Sequence, residues 1–395
     1  MTRERIVIVA GETSGDNLGA GLIRALRTRR AGLEFEGIAG PAMEAEGCRA
    51  WASADQLAVM GLFEVVRHLP ELWRLRSTVA ARVLAEPPLA FVGVDAPEFN
   101  LGLAARLHDG GIPTVQYVSP QVWAWRQGRV RRMAATLDLV LCLLPFEKRF
   151  YDQHGLAAEF VGHPLADRVP LEPDRAGARA RLGLDPARTL IALLPGSRRG
   201  EVERLAVLFL AAAERLAAAR PGVAFVAPMA NATARAVFGD ALEARRRAGA
   251  LIEVALVDGQ AEAALTAADC ALVASGTATL EALLCKRPMV VAYRLGRATT
   301  LMVRAAGLIK APFFAQPNLL AGRAVVPELF QEQATPERIA AELGAWLDDP
   351  PRVAALQAEF RRIHELLRRG ASERAAEAVL GLIDRRAAAA ARPSG

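Results

Sequence analysis

The sequence is short of the residues that build metal sites. Its 395 residues include four cysteines and five histidines. Cys48, Cys142, Cys270 and Cys285 show no C-x-x-C spacing, which argues against a structural zinc site. Cys142 and Cys270 sit inside apolar runs, where cysteine serves as a small core residue. No apolar run reaches the roughly 18–20 residues of a membrane span. No signal-peptide pattern precedes the first strand, so a cytosolic chain is the expectation. No G-x-G-x-x-G follows that strand, which disfavours a Rossmann dehydrogenase. No Gly-Lys-Ser/Thr closes a phosphate loop, which disfavours NTP hydrolysis.

What is present is enough for more than one core. The length suggests two domains, at roughly 100–200 residues each. Apolar residues make up 52% and charged residues 23%, the balance of a globular protein. The net charge of +6 points either to anionic partners or to an arginine-rich composition.

Strands and helices alternate through the first half. "RIVIVA" (5–10), "LAFVGV" (89–94), "PTVQYV" (113–118) and "LDLVLCLL" (137–144) read as strands, with helices over 18–30 and 100–108. Continuous apolar strands between helices predict a parallel sheet covered on both faces. Residues 163–189 break the rhythm with prolines and charges. It restarts with "TLIALLP" (189–195), "VAFVAP" (223–228), "IEVALV" (252–257), "CALVAS" (270–275) and "PMVVAYR" (288–294). The prediction is two doubly wound α/β domains, 1–168 and 169–345, with helices over 346–395. Thr335 and Pro336 suit a helix cap and first turn.

Ligands of open parallel sheets bind beyond the carboxyl ends of strands, and five stretches fall there. In "AGETSGD" (10–16), Ser14 or Asp16 could cap a helix, but Glu12 stands where a ligand would lie. In "GVDAPEFN" (93–100), Asp95 or Asn100 could cap; alternatively Asp95 is a general base or holds a substrate hydroxyl. "YVSPQVWAWRQGRVRRM" (117–133) sets Trp123 and Trp125 beside Arg126 and further arginines. That is a solvated basic face or a surface for an anionic acceptor or membrane. A nucleic-acid module is not recognisable in it. In "LLPGSRRGEVERL" (193–205), Gly196 and Ser197 turn the chain, and Arg198 and Arg199 precede a helix, an anion-binding arrangement. "ASGTATLE" (274–281) offers the backbone of Ser275, Gly276 and Thr277 to a phosphate, with Glu281 placed to accept from two ribose hydroxyls or to form a salt bridge. "FAQPNLLAG" (314–322) adds Gln316 and Asn318. Finally, "MGLFEVVRHLPELWRLR" (60–76) has apolar residues at 62, 65, 66, 69, 72 and 73, one helical face flanked by Arg67, Arg74 and Arg76. It reads as a core helix or as an interfacial helix touching lipid.

These stretches, with "GIAGPAM" (37–43), "MGLFEV", "LPFE" (144–147) and "FVGHPL" (160–165), run in one order from residue 10 to about 322. In that order they resemble the lipid-A-disaccharide synthase family of glycosyltransferases, which have the GT-B fold. Thr13, Ala39 and Gln121 depart from residues common in the family, and none of them is a charged or catalytic candidate.

The resemblance implies an inverting transfer from UDP-2,3-diacylglucosamine to the 6-hydroxyl of 2,3-diacylglucosamine 1-phosphate (lipid X), a step toward lipid A. It implies two Rossmann-like domains facing a central cleft, the first taking the acceptor and the second UDP, with the last helices packing back on the first. No D-x-D triplet occurs, so neither a metal nor another cofactor is expected. Asp95 is the expected base or hydroxyl holder, with Glu12 second. Arg198 or Arg199 and the turns at 196–198 and 275–277 would face the diphosphate, Glu281 the ribose, and Asn318 the donor sugar or phosphate, with Gln316 beside it. Leu62, Phe63, Val66, Trp73 and Arg126 would meet the acceptor or the membrane. The enzyme is expected on the cytoplasmic face of the inner membrane, without nucleic acid, and any self-association is expected to be a homodimer. Within the same fold, a UDP-N-acetylglucosamine 2-epimerase or another UDP-sugar transferase is the rival reading.

Overall fold

A computed structural model of the chain describes residues 4–58, 65–120, 122, 127–296 and 313–391. The fold has two units, Met1–Asp167 with Leu367–Gly395, and Arg168–Leu366. The helical segment expected over 346–395 is thus divided between them after Leu366.

The first unit is built on a seven-stranded parallel sheet in the order β3-β2-β1-β4-β5-β6-β7. Its strands are β1 (Arg5–Ala10), β2 (Glu34–Ala39), β3 (Cys48–Ser53), β4 (Ala90–Val94), β5 (Thr114–Tyr117), β6 (Leu139–Cys142) and β7 (Ala158–Phe160). Every residue of β1 and β4 is buried, because helices cover both faces. Strand order reverses between β1 and β4, where Ala10 lies opposite Val94, so the two carboxyl ends are flush. That reversal is the topological switch point at which such sheets bind ligands.

The helix Glu12–Arg29 starts at once from β1, six residues earlier than its apolar periodicity suggests. It buries Gly15, Gly19, Leu22, Ile23 and Leu26 on one face. The C-terminal helix Ala371–Ala390 packs on it, and a Cβ at Gly21 would come within 2.6 Å of Ser372 Oγ. Asp167 fastens the start of that last helix, accepting from the N–H groups of Gly370 (2.9 Å) and Ala371 (2.7 Å).

The second unit repeats the plan with six parallel strands in the order β10-β9-β8-β11-β12-β13. They are β8 (Leu190–Leu194), β9 (Ala224–Met229), β10 (Val254–Asp258), β11 (Cys270–Val273), β12 (Met289–Tyr293) and β13 (Glu328–Phe330). The reversal falls between β8 and β11, with Leu194 opposite Val273. Thr335 caps the helix Pro336–Asp348 through its side-chain oxygen, which accepts from Arg338 N at 3.3 Å. Trp346 of that helix donates to Met289 O at 3.1 Å, anchoring it to β12.

Candidate active site

In the first unit, Asp95 follows β4 directly and Glu12 follows β1 after Gly11, and both lie at the switch point. Glu12 has φ 62°, Asp95 φ 53° and Ala96 φ 40°, a left-handed region that non-glycine residues seldom enter. Val118, next after β5, has φ 75°. Such strain gathers where a structure over-determines the backbone, commonly at functional sites. Close packing contributes to it: a Cβ at Gly11 would lie 2.6 Å from Ala96 Cβ. Neither Asp95 nor Asn100 caps the helix Pro97–Asp109, whose cap residue is Ala96. Asp16 does cap, but on another helix. Its carboxylate accepts from Gly40 N (2.9 Å), Ala42 N (2.8 Å) and Met43 N (3.0 Å) at the start of Pro41–Ala45. The helix Glu12–Arg29 therefore begins with no side-chain cap.

Asp95 is half-buried and Glu12 exposed. Burial, and then the charge of Glu12, hold the Asp95 carboxyl above its usual range, against a hydrogen bond from the backbone of Ala96. A carboxylate raised in this way can take a proton from an alcohol more readily than a free one.

His163 stands beyond β7, half-buried. Its Nδ1 accepts from Leu165 N at 3.2 Å, and burial pushes the imidazole down to about 4. It is therefore neutral at physiological pH, with its proton on Nε2.

In the second unit, the loops after β8 and β11 are neighbours at the switch point. Gly196, with φ 107°, lies against the Glu201 carboxylate; a Cβ there would be 2.0 Å from Glu201 Oε2. Ser197 N donates to that same oxygen at 3.3 Å, and Asn231 Nδ2 donates to Ser197 O at 3.1 Å. Burial raises the Glu201 carboxyl, opposed by the Ser197 N–H and by Arg198 and Arg204. Tyr293, at the end of β12, is raised by burial and then by Glu201. Arg199 is tied to Glu203 at 2.8 Å. Arg198 is exposed and meets no carboxylate at ion-pair distance among the described residues.

After β11, Gly276 has φ 123° and opens the helix Thr277–Leu284 without a side-chain cap. Thr279 is buried; its hydroxyl donates to Gly276 O at 2.8 Å and accepts from Gln316 N at 3.1 Å. That bond sets Gln316 beside the turn, where its side-chain Oε1 is buried with no partner among the described residues. Burial raises the Glu281 carboxyl, with Arg168 opposing and Glu262 assisting. A raised, half-buried carboxylate is suited to accepting from hydroxyl groups.

A family model described as lipid-A-disaccharide synthetase matches residues 6–381. The chain belongs to the lipid-A-disaccharide synthase family. It is 52% identical over 378 residues to the lipid-A-disaccharide synthase of Alkalilimnicola ehrlichii, covering 95% of this chain and 98% of that protein. It is 50% identical over 383 residues to that of Pseudomonas aeruginosa strain UCBPP-PA14, covering 97% and 99%. It is thus an enzyme, a glycosyltransferase of lipid A biosynthesis. Solved structures agree on the GT-B fold. MurG of Acinetobacter baumannii has a TM-score of 0.56 at 14% identity, over 96% of this chain and 99% of that one. A UDP-GlcNAc 2-epimerase of Neisseria meningitidis, solved with UDP-GlcNAc, has a TM-score of 0.62 at 12% identity, over 96% and 100%.

Among lipid-A-disaccharide synthase residues expected to touch substrate, Asn318 is committed elsewhere. It is 1% exposed; its amide donates to Val326 O (2.9 Å) and Glu328 Oε1 (2.6 Å) and accepts from Val325 N (2.7 Å) and Val326 N (2.9 Å). Its geometry is that of a scaffold for 325–328. Leu62, Phe63, Trp123, Trp125 and Arg126 lie outside the described residues, as does the side chain of Val66. Trp73 is 55% exposed on the helix Val65–Ala85, with the Arg76 guanidinium 4.8 Å from its ring centre. Glu201, Tyr293, Asn231, Gln116 and His163 were not singled out by sequence. The one available signal was their closeness to strand ends.

Proposed function

We propose that the enzyme moves the diacylglucosaminyl group of UDP-2,3-diacylglucosamine onto the 6-hydroxyl of 2,3-diacylglucosamine 1-phosphate, with inversion, giving the β-1,6-linked disaccharide 1-phosphate and UDP. The observation that carries this reading is the carboxylate pair at the first switch point, Asp95 raised by burial and by Glu12. Asp95 takes the proton of the 6-hydroxyl as that oxygen attacks the anomeric carbon. The bond from this carbon to the diphosphate breaks, and UDP leaves with the electron pair. Glu12 keeps Asp95 basic, and is second in line as the base.

The leaving charge meets Arg198, the Ser197 N–H once Glu201 releases it, and the uncapped N–H groups at 276–278. Arg198 is favoured over Arg199 because Arg199 is already paired. Glu281 accepts from the ribose hydroxyls, and the orphaned Oε1 of Gln316 accepts from the donor. Asn318 holds the loop that shapes this region. The exposed Trp73 supports a peripheral position on the inner face of the inner membrane, where acyl chains are presented.

The test is UDP release from UDP-2,3-diacylglucosamine, with and without acceptor, by wild type and Asp95→Asn. Acceptor-dependent release, lowered about 100- to 10,000-fold in the variant, is expected of a general base. Undiminished turnover by a folded Asp95→Asn enzyme would transfer the role to Glu12. Release without acceptor would favour an epimerase-like reaction.

A further inference from the structure

Two side-chain amides sit beneath the first switch point, and no step above uses them. Asn100 is 0% exposed and Gln116 1% exposed. Both aim an NH2 group at one atom, the backbone carbonyl oxygen of Asp95. Asn100 Nδ2 donates to it at 2.8 Å and Gln116 Nε2 at 3.0 Å. Asn100 Nδ2 also lies 3.2 Å from Val9 O, on β1 just before the segment that carries Glu12. Gln116 Nε2 also lies 3.3 Å from Val118 O, at the third strained strand end. The space for Asn100 is reserved, because a Cβ at Gly93 would lie 2.8 Å from Asn100 Cβ. Its Oδ1 is buried with no partner among the described residues, so packing alone does not account for an amide here.

A carbonyl held by two buried donors cannot turn without breaking both bonds, and a buried polar group left unpaired costs about 1–3 kcal/mol. The Asp95–Ala96 peptide has every local reason to turn, since both residues carry left-handed φ. We infer that Asn100 and Gln116 are positioning residues, which lock the Asp95 peptide in its strained form and so fix the Asp95 carboxylate beside Glu12. The inference rests on Asp95 being the base. Freed from the two amides, Asp95 relaxes toward extended backbone and its carboxylate swings toward solvent and away from Glu12. Burial and Glu12 raise its affinity for a proton, so relaxation lowers it. The acidic limb of the rate profile then moves to lower pH.

The experiment compares wild type, Asn100→Asp and Gln116→Met. Gln116→Met keeps the volume without the donor and guards against misfolding of Asn100→Asp. Three quantities are read: kcat and KM across pH, the Asp95 titration by its carboxyl 13C shift, and the melting temperature. We expect kcat to fall on the order of 10- to 100-fold with KM little changed. The Asp95 midpoint and the acidic limb should move down together. A structural role alone lowers the melting temperature and leaves both midpoints in place, and that result overturns the inference while an inactive Asp95→Asn keeps the proposed function. A fully active Asp95→Asn moves the base to Glu12 instead, and the 13C midpoint still decides whether the amides hold the carboxylate.

Discussion

Glu201 shows how one side chain can hold a loop and compete with its ligand. Its carboxylate occupies the Ser197 N–H, a donor that a diphosphate at the start of the helix Arg199–Ala219 would need. Burial keeps its proton affinity above that of an ordinary glutamate. As pH rises through that raised value the group becomes anionic, keeps Ser197 for itself and repels the incoming phosphate. UDP affinity should therefore fall more steeply with rising pH in wild type than in Glu201→Gln. Calorimetric titrations of both proteins across that range check this, and parallel curves would remove Glu201 from donor binding. The sequence "GSRRGE" exposed the glycine and the arginines but not this role. Gly196 invites the usual reading of close phosphate approach, whereas the atom that crowds it belongs to Glu201. Asn318 misled in the reverse direction: an amide in a Pro-bounded loop reads as a ligand contact, and tertiary structure consumes all of its bonds.

At the scale of elements, the apolar central strands were legible and the marginal ones were not. β1 matches its expected bounds, and β4, β5, β6, β8, β9, β11 and β12 fall within a few residues of theirs, because a strand buried on both faces is a continuous apolar run; β10, at a sheet edge, is legible from its apolar run although only Val254 is buried. β2 and β3 carry Glu34, Glu36 and Arg49, which interrupt that signal near the sheet edge. β7 and β13 have three residues each, too few for any pattern. The helix Pro41–Ala45 has only five residues, and it depends on the distant carboxylate of Asp16. Asp16→Ala would leave three N–H groups unpaired, two of them in buried bonds. It should cost about 3 kcal/mol by urea denaturation. On the helix Val65–Ala85, Trp73 is the largest exposed apolar group. Trp73→Ser should weaken sedimentation with anionic vesicles severalfold while leaving turnover of a detergent-dispersed substrate unchanged.

The proposed function divides the labour between two cores, and heat should expose that division. It puts UDP on the unit Arg168–Leu366. Ligand at about 100 times its Kd adds about 2.7 kcal/mol to the unit that binds it. Scanning calorimetry with UDP should raise the transition of that unit and leave the other in place. A rise of both by equal amounts would show that the units unfold together. The doubly wound plan was evident in the sequence because each half repeats the alternation of strand and helix. The division of the last helices after Leu366 carries no such mark: residues 350–390 are helical throughout save a break at 368–370, where Gly370 takes φ 67°.

The packing of Ala371–Ala390 on Glu12–Arg29 joins a helix made after the whole second unit with one made before it. At about 5–20 residues per second, a ribosome needs roughly 10–40 s to make the intervening unit. Throughout that time the first helix keeps an uncovered face, including Gly21 where Ser372 will sit. The first unit is therefore the earlier to begin folding and the later to finish, and a nascent chain halted before residue 371 presents that face to whatever chaperone attends it.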